Sequence, residues 1–397
     1  MQAAAKIPKR ESVNINERGV KAADVIINGR FLTQGVTGVQ RVALGLCNAI
    51  DSILTDTDPQ SRPIVEIYVP RPVELSMPLR TIRIRHVPGA GGYWWEQITL
   101  PRAAAGRLIV NFCNLAPVIA PGLVCMHDAN TFTVPDNFSW QFRWAYRILL
   151  PLIGRRAKRI VTVSHYSANQ LVTHGVTAAE HITVIPAAVD YIRYADPRRA
   201  RLEASKLPNI FVFAIGTMSA NKNLKTLLSI APQLQKDGIG LVIVGNINER
   251  VFGNDDALQG KSLTNTVVLG RINDDDLSLL YHRALCLAFP SIEEGFGLPP
   301  LEAMNCGCPV VSSDRASLPE VCGDAALMCS PFDSDQWLAA IRRLASDPSF
   351  RAKMIERGRE QAARYSFKAS AEAWLALIKG ELTNRRTDIG EQGRVRR

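Results

Sequence analysis

The segment Phe289-Pro-Ser-Ile-Glu-Glu-Gly-Phe-Gly-Leu-Pro-Pro-Leu-Glu-Ala-Met304 carries two carboxylates, Glu294 and Glu302, with seven residues between them. A carboxylate can accept two hydrogen bonds from a vicinal diol. Glu302 therefore suits a ribose, and Glu294 a second polyhydroxylated group. Glu302 alone could equally do no more than complement a helix dipole. Gly295 and Gly297 make a turn that lets backbone approach a ligand closely. Pro299 and Pro300 have the preset φ of a first helical turn, and Leu301–Asn305 reads as a helix that stops at Gly307. A glycine-rich loop feeding a helix start gathers unpaired N–H groups and a positive dipole end, which suits a diphosphate. A cation that could neutralise such a group is Lys222, in Gly216-Thr-Met-Ser-Ala-Asn-Lys-Asn-Leu224 after the strand Ile210–Ile215.

The first half offers more dispersed candidates. Gln34-Gly-Val-Thr-Gly-Val-Gln-Arg-Val42 follows a strand and opens a helix. Gly35 and Gly38 would permit close approach of a phosphate or second substrate, and Arg41 either faces a phosphate or packs on its helix. His127-Asp128 follows the strand Leu123–Met126, with Asp128 read as orienting the loop. Ser164 reads as a helix N-cap. Asp274-Asp-Asp276 has the look of a metal site but precedes Leu277-Ser-Leu-Leu-Tyr281 and is read as an acidic helix start. Trp140–Arg159 is aromatic and basic, either a packing helix with a basic end or a segment resting on an anionic membrane surface. Gly91-Gly-Tyr-Trp-Trp-Glu96 reads as an exposed loop whose aromatics stack on sugar or lipid or pack at the cleft.

These residues need a frame. Short β-branched runs alternate with helical segments: Asp24–Asn28, Ile64–Val69, Leu108–Phe112, Leu123–Met126, Ile160–Val163 and Ile182–Ile185, then Ile210–Ile215, Leu241–Val244, Thr266–Leu269, Ala284–Phe289, Pro309–Ser312 and Ala326–Met328. Helices fall at Val39–Ile53, Asn223–Gln235 and Gln336–Ser346. Continuously apolar strands imply parallel sheets covered on both faces, so the fold class is α/β, with two Rossmann-like doubly wound domains facing a central cleft. The expected division is a tail at 1–21, a first domain at 22–195, a linker at 196–208, a second domain at 209–365 and a tail at 384–397.

Composition narrows the classes. A chain of 397 residues, 47% hydrophobic and 21% charged, can bury cores of ordinary size, which excludes wholesale disorder. No apolar run is long enough for a membrane span, and the polar N-terminus lacks a secretory h-region, so a cytoplasmic protein is expected. The eight cysteines form no C-x-x-C pair and read as buried reduced thiols. Residues 1–200 hold 23 basic and 14 acidic side chains, against 24 and 23 in 201–397. A basic first half fits a phosphorylated substrate or an anionic membrane better than nucleic acid, for which no motif is present.

Glu294 to Glu302 is similar to the Glu-x7-Glu motif of the retaining glycosyltransferases of family 4, which have the GT-B fold. The likeness continues through Cys306-Gly-Cys-Pro-Val-Val-Ser-Ser-Asp314 and Ser317-Leu-Pro-Glu-Val-Cys-Gly-Asp-Ala-Ala326. The resemblance implies that the second domain binds a nucleotide diphosphate sugar and the first binds the acceptor. By the same token Glu302 holds the ribose, while Glu294 and His127 contact the donor sugar. The loop Gly295, Phe296, Gly297 and Leu298 lies near the donor, with Gly216. Lys222 stabilises the departing diphosphate. The family has Arg where this chain has Asn221, so one phosphate contact is missing or supplied elsewhere, with Arg271 as the substitute. No metal or other cofactor is implied. A C-terminal helix, 366–383, crosses back to the first domain.

The implied reaction is hexosyl transfer with retention. Mannose from GDP-mannose ranks first among donors and UDP-hexoses second, because the Gly-Val-Gln-Arg loop resembles bacterial transferases that build surface polysaccharide. The acceptor is a saccharide or a polyprenyl-diphosphate-linked oligosaccharide, reached at the inner membrane face. The alternatives are a non-catalytic nucleotide-sugar binder, favoured only by Asn221, and an epimerase or hydrolase of similar fold. Glu302→Ala and Lys222→Ala are each expected to abolish transfer and leave the fold intact.

Overall fold

The computed structural model describes residues 23–35, 37–75, 78–217, 219–245 and 265–395, with side chains to residue 385. The expected tail at 1–21 lies outside the described residues.

The first sheet has seven strands: β1 Val25–Asn28, β2 Val65–Val69, β3 Arg83–His86, β4 Leu108–Asn111, β5 Leu123–Cys125, β6 Arg159–Thr162 and β7 Ile182–Val184. Their order is β3-β2-β1-β4-β5-β6-β7, and every pairing is parallel. The second has six: β8 Phe211–Ile215, β9 Gly240–Val244, β10 Thr266–Leu269, β11 Cys286–Phe289, β12 Val310–Ser313 and β13 Ala326–Cys329, in the order β10-β9-β8-β11-β12-β13, again all parallel. Each sheet thus reverses direction between its first and fourth strands, where open α/β sheets leave a crevice for ligands. β1, β4, β9 and β11 are buried along their whole length, as strands covered by helices on both faces must be.

Only β3 has no counterpart in the expected strands. Its sequence is Arg-Ile-Arg-His and every residue is exposed. It is an edge strand kept from pairing further by its charges, so it lacks the apolar signature of its neighbours.

The last helix, Phe367–Val395, continues well beyond the expected boundary at 383 and takes in residues expected to form a tail. Its buried face is Phe367, Ala371, Trp374, Leu375 and Ile378, and it packs on the helix Gly38–Asp56 of the first half. Trp374 meets Phe112 edge to face, with ring centres 5.0 Å apart. The Ser370 hydroxyl donates to the Pro186 carbonyl at 2.8 Å. Gly45 lies under the Phe367 ring, where a methyl group would sit 2.1 Å from the ring atoms. This helix therefore returns to the half that holds β1.

The 196–208 segment is tied down by the acidic run. Asp275 Oδ1 accepts the Asp196 N–H at 2.8 Å, and Asp276 Oδ1 accepts the N–H groups of Arg201 and Leu202 at 2.6 and 2.8 Å. Asn273 caps the helix Asp274–Arg283 through the Asp276 N–H. The eight cysteines are unpaired and six are buried. Among the described residues no helix is long and apolar enough to cross a membrane.

Candidate functional site

Between the two sheets lies a cavity of about 240 Å3, lined from the second half by Lys222, Glu294 and Gly295–Pro299, and from the first by Thr37–Val39, His127, Asp128 and Asn130. Lys222 leaves a short 3-10 turn, Ala220–Lys222, beyond the end of β8. Its ammonium group sits 2.5 Å from Glu294 Oε1 and 5.5 Å from the centre of the Phe289 ring. Gly216 stands behind it: a methyl there would press on the Lys222 stem at 3.3 Å.

The loop Gly295–Leu298 is held by steric fit and by hydroxyls from both halves. A methyl on Gly295 would fall 2.4 Å from the His127 carbonyl oxygen, so only glycine allows this approach across the cleft. Gly297 has φ +105, which favours glycine, and heads the helix Leu298–Asn305. Ser164 and Ser167 donate to the Gly295 carbonyl at 2.6 and 2.8 Å, and Ser317 donates to the carbonyls of Glu294 and Phe296 at 2.9 and 2.8 Å. Ser164 is the N-cap expected from sequence, accepting the Ser167 N–H, but its reach to Gly295 has no sequence signal. Phe296 is buried against Tyr365. Leu298 meets Gly38, where a methyl would lie 3.1 Å from Leu298 Cδ1.

His127 is buried at the end of β5, and its Nε2 lies 2.7 Å from the Phe112 carbonyl. A carbonyl only accepts, so Nε2 carries the proton and Nδ1 keeps its lone pair. Burial lowers the pKa of the ring, against the opposing pull of that hydrogen bond and of Asp128, so the imidazole is neutral near pH 7. Asp128 accepts the Asn130 N–H at 2.9 Å, which supports its loop-orienting role. Burial raises its pKa, against the opposing pull of the Asn130 N–H, of His127 and, least, of Lys222.

Several expected site residues stand elsewhere. Glu302 is 6% exposed and is not part of the cavity lining. Tyr191 donates to its Oε1, and Tyr281 donates to its Oε2 at 2.8 Å. Burial raises its pKa, partly offset by those phenols and by Arg41. Arg41 does not reach the cavity; its guanidinium pairs with Asp274 at 2.5 Å and lies 5.5 Å from the Tyr191 ring centre. Gly35 meets nothing within 4 Å, so no close approach requires it here. Arg271 is exposed on the bend after β10, away from the cavity lining.

Asn221 has a structural role that the sequence could not show. It is 8% exposed. Its Oδ1 accepts from Asn137 of the first half at 2.8 Å, its Nδ2 donates to the Glu293 carbonyl at 3.3 Å, and its backbone carbonyl accepts the Ile292 N–H at 2.7 Å. Beside it, the Tyr166 hydroxyl lies 2.7 and 2.9 Å from the Glu293 carboxylate oxygens. The Gly91–Glu96 segment is only partly the exposed loop expected: Tyr93 and Trp94 are exposed, but Trp95 and Glu96 are buried.

Comparison with known proteins bears on the family and the fold. Residues 198–361 match the family described as glycosyl transferases group 1. The chain is 27% identical over 291 residues to the O-antigen chain mannosyltransferase RfbU of Salmonella typhimurium, covering 72% of this chain and 78% of that one. It is 33% identical over 261 residues to O-antigen chain mannosyltransferase B of Escherichia coli, covering 61% and 65%. Against the serotype-specific mannosyltransferase WbdA of Escherichia coli it is 25% identical, with 73% of this chain matching only 40% of that one. Among solved structures, WaaG, a glycosyltransferase involved in lipopolysaccharide biosynthesis, superposes with TM-score 0.64 at 18% identity over 90% of this chain and 99% of that one. Sucrose-phosphate synthase from Thermosynechococcus elongatus does so with TM-score 0.67 at 18% identity over 91% and 99%. Residues 198–361 therefore carry the match to glycosyl transferases group 1, within a molecule of GT-B fold.

Proposed function

We propose that this chain is a retaining, metal-independent hexosyltransferase that moves mannose from GDP-mannose to a saccharide or lipid-linked oligosaccharide during cell-surface polysaccharide synthesis. The observation that carries the reading is one cavity that joins the Lys222–Glu294 pair to His127 and the Gly295 loop at the carboxyl ends of strands from both sheets. Lys222 meets the charge that builds on the leaving diphosphate. Glu294 and the free Nδ1 of His127 accept hydroxyls of the donor sugar. The acceptor hydroxyl attacks the anomeric carbon on the face from which the diphosphate leaves; its proton passes to a diphosphate oxygen as the old C–O bond breaks. Glu302 takes the ribose once Tyr191 yields its oxygen. Asn221, the one feature that favoured a non-catalytic binder, is occupied in bridging the two halves.

Thermal unfolding with GDP-mannose, GDP, UDP-glucose and UDP tests the donor, because a ligand that binds only the native state raises the midpoint. The largest rise is expected with GDP-mannose. A rise with UDP-sugars alone reassigns the donor, and no rise with any of them overturns the reading. Transfer of labelled mannose in EDTA, followed by assignment of the anomeric configuration, tests metal independence and retention.

The same reading puts the protein at the inner membrane face. Trp140, Trp144 and Ile148 repeat at helical spacing on the helix Trp140–Arg156 and are 65%, 60% and 56% exposed, with Arg143, Arg147, Arg155 and Arg156 on the same helix. An apolar stripe with basic neighbours suits an anionic bilayer surface. Sedimentation with phosphatidylglycerol vesicles is expected to capture the wild type and to lose W140A/W144A; equal capture of both removes this docking role.

A further inference from the structure

A second cavity, of about 250 Å3, opens at the point where the first sheet reverses between β1 and β4. Thr37 and Val39 line both this cavity and the donor cavity, so the two adjoin. Its floor is a polar cluster assembled from distant parts of the chain. Asn28, at the end of β1, donates to Glu96 Oε1 at 2.6 Å and to Asn111 Oδ1 at 3.0 Å. Glu96 is 2% exposed and belongs to a π-helical turn, Trp95–Thr99. Gln97 and Trp95 fix that turn through bonds to Ala116, Val118 and Val87. The other oxygen of Glu96, Oε2, accepts no hydrogen bond, and its ion-pair neighbour is Arg30 Nε at 3.4 Å.

A buried carboxylate oxygen left without a donor is costly, and this one lines a cavity. Arg30 also lies 4.5 Å from the centre of the half-exposed Tyr93 ring at the rim. The Arg30 charge is balanced by Glu96, so the pair presents no net charge to an anion. Of the remaining lining, Gln34, Thr37, Gln40, Asn114 and Tyr146 are neutral hydrogen-bonding groups, and the rest is apolar, with the rings of Phe31 and Phe112. Such a lining matches a ring of hydroxyls better than it matches a phosphate. We infer that this cavity holds the acceptor's terminal residue as a neutral, unphosphorylated hexose, with Glu96 Oε2 accepting one of its hydroxyls and Tyr93 covering its apolar face. The inference rests on the transferase reading and adds the chemistry of the acceptor to it. Asn114 links the two cavities, since its Oδ1 accepts the backbone N–H of His127 at 2.7 Å.

Saturation-transfer NMR on the full chain with methyl α-mannoside, methyl α-glucoside and methyl β-galactoside tests it. At least one glycoside is expected to give a signal that weakens about tenfold in Glu96→Gln, the loss of one hydrogen bond to a charged group. Tyr93→Ala, a change at an exposed rim position, is expected to weaken it too, and Glu294→Gln to leave it unaltered. Inorganic phosphate is expected not to compete. No signal from any glycoside, a signal indifferent to both Glu96→Gln and Tyr93→Ala, a signal that follows Glu294 instead, or displacement by phosphate each overturns the inference. The thermal shift with GDP-mannose is read on the same samples: its absence beside an intact Glu96-dependent signal sinks the donor reading and leaves the sugar pocket standing.

Discussion

The two halves share one strand order and differ in how their chemistry is assembled. In the second half, Lys222, Glu294 and the Gly295–Gly297 turn lie in two short stretches, each directly after a strand. In the first half the comparable cluster draws Asn28, Glu96 and Asn111 from positions 68 and 83 residues apart. A site gathered locally keeps its spacing in the sequence and can be read there. A site gathered by folding cannot.

Substitutions can break or sharpen this contrast. The largest effect is expected at Lys222. Replacement by Ala should lower kcat by about 10²–10³-fold, as removal of one electrostatic stabiliser does, measured with saturating GDP-mannose; near-normal turnover removes Lys222 from the chemistry. Glu302→Ala comes next, and here the structure alters the sequence expectation of an intact fold. Its removal strands the Tyr191 and Tyr281 hydroxyls, so a loss of about 1–3 kcal/mol is expected. Denaturant titration reads it, with Glu302→Gln losing less; equal midpoints for Ala and wild type contradict the assignment.

A smaller effect is expected at Asn221. Asn221→Ala should cost about 0.5–1.5 kcal/mol by removing the bridge to Asn137, and Asn221→Arg should destabilise the chain without raising turnover. A faster Asn221→Arg enzyme would mean that Asn221 is a weakened phosphate contact after all. The smallest is the pH response of His127. The unfolded imidazole binds a proton below about pH 6.5, while the folded ring, with its pKa lowered by burial, does not. The unfolded chain therefore holds more protons in that window, and stability falls as pH drops through it. The buried acids Asp128 and Glu302, with raised pKa values, act in the opposite sense in any variant that keeps them. Melting curves at pH 7.5 and 5.5 should show His127→Asn losing less on acidification than the wild type; identical losses contradict a neutral buried His127.

Much of the fold was legible because buried parallel strands are near-continuous apolar runs. Ten of the thirteen described strands needed no more than that, whereas β3 is charged and exposed and the edge strands β7 and β10 are only partly buried, found from their β-branched residues. The loop Gly295–Leu298 was legible because Gly295 and Gly297 are demanded by contact and by backbone conformation. Illegible were the partners that a carboxylate finds in three dimensions. Glu302 shows a free acid in the sequence, yet two phenols from 111 and 21 positions away occupy it. Arg41 shows a free cation, yet Asp274 of the opposite half claims it. Charge type can be read along a chain, but charge balance cannot.

One further contact joins the two halves. The backbone N–H groups of His165 and Tyr166 end on the two oxygens of Glu320, at 2.8 and 3.1 Å, a residue some 155 positions later on the opposite wall. The first turn of the His165–Thr173 helix is thus completed by a borrowed side chain. Were the walls to part, those two donors would return to water and the helix that supplies Ser167 to the Gly295 carbonyl would keep only Ser164 as its cap. Amide hydrogen exchange at 165 and 166 is therefore the expected local gauge of any parting of these two walls.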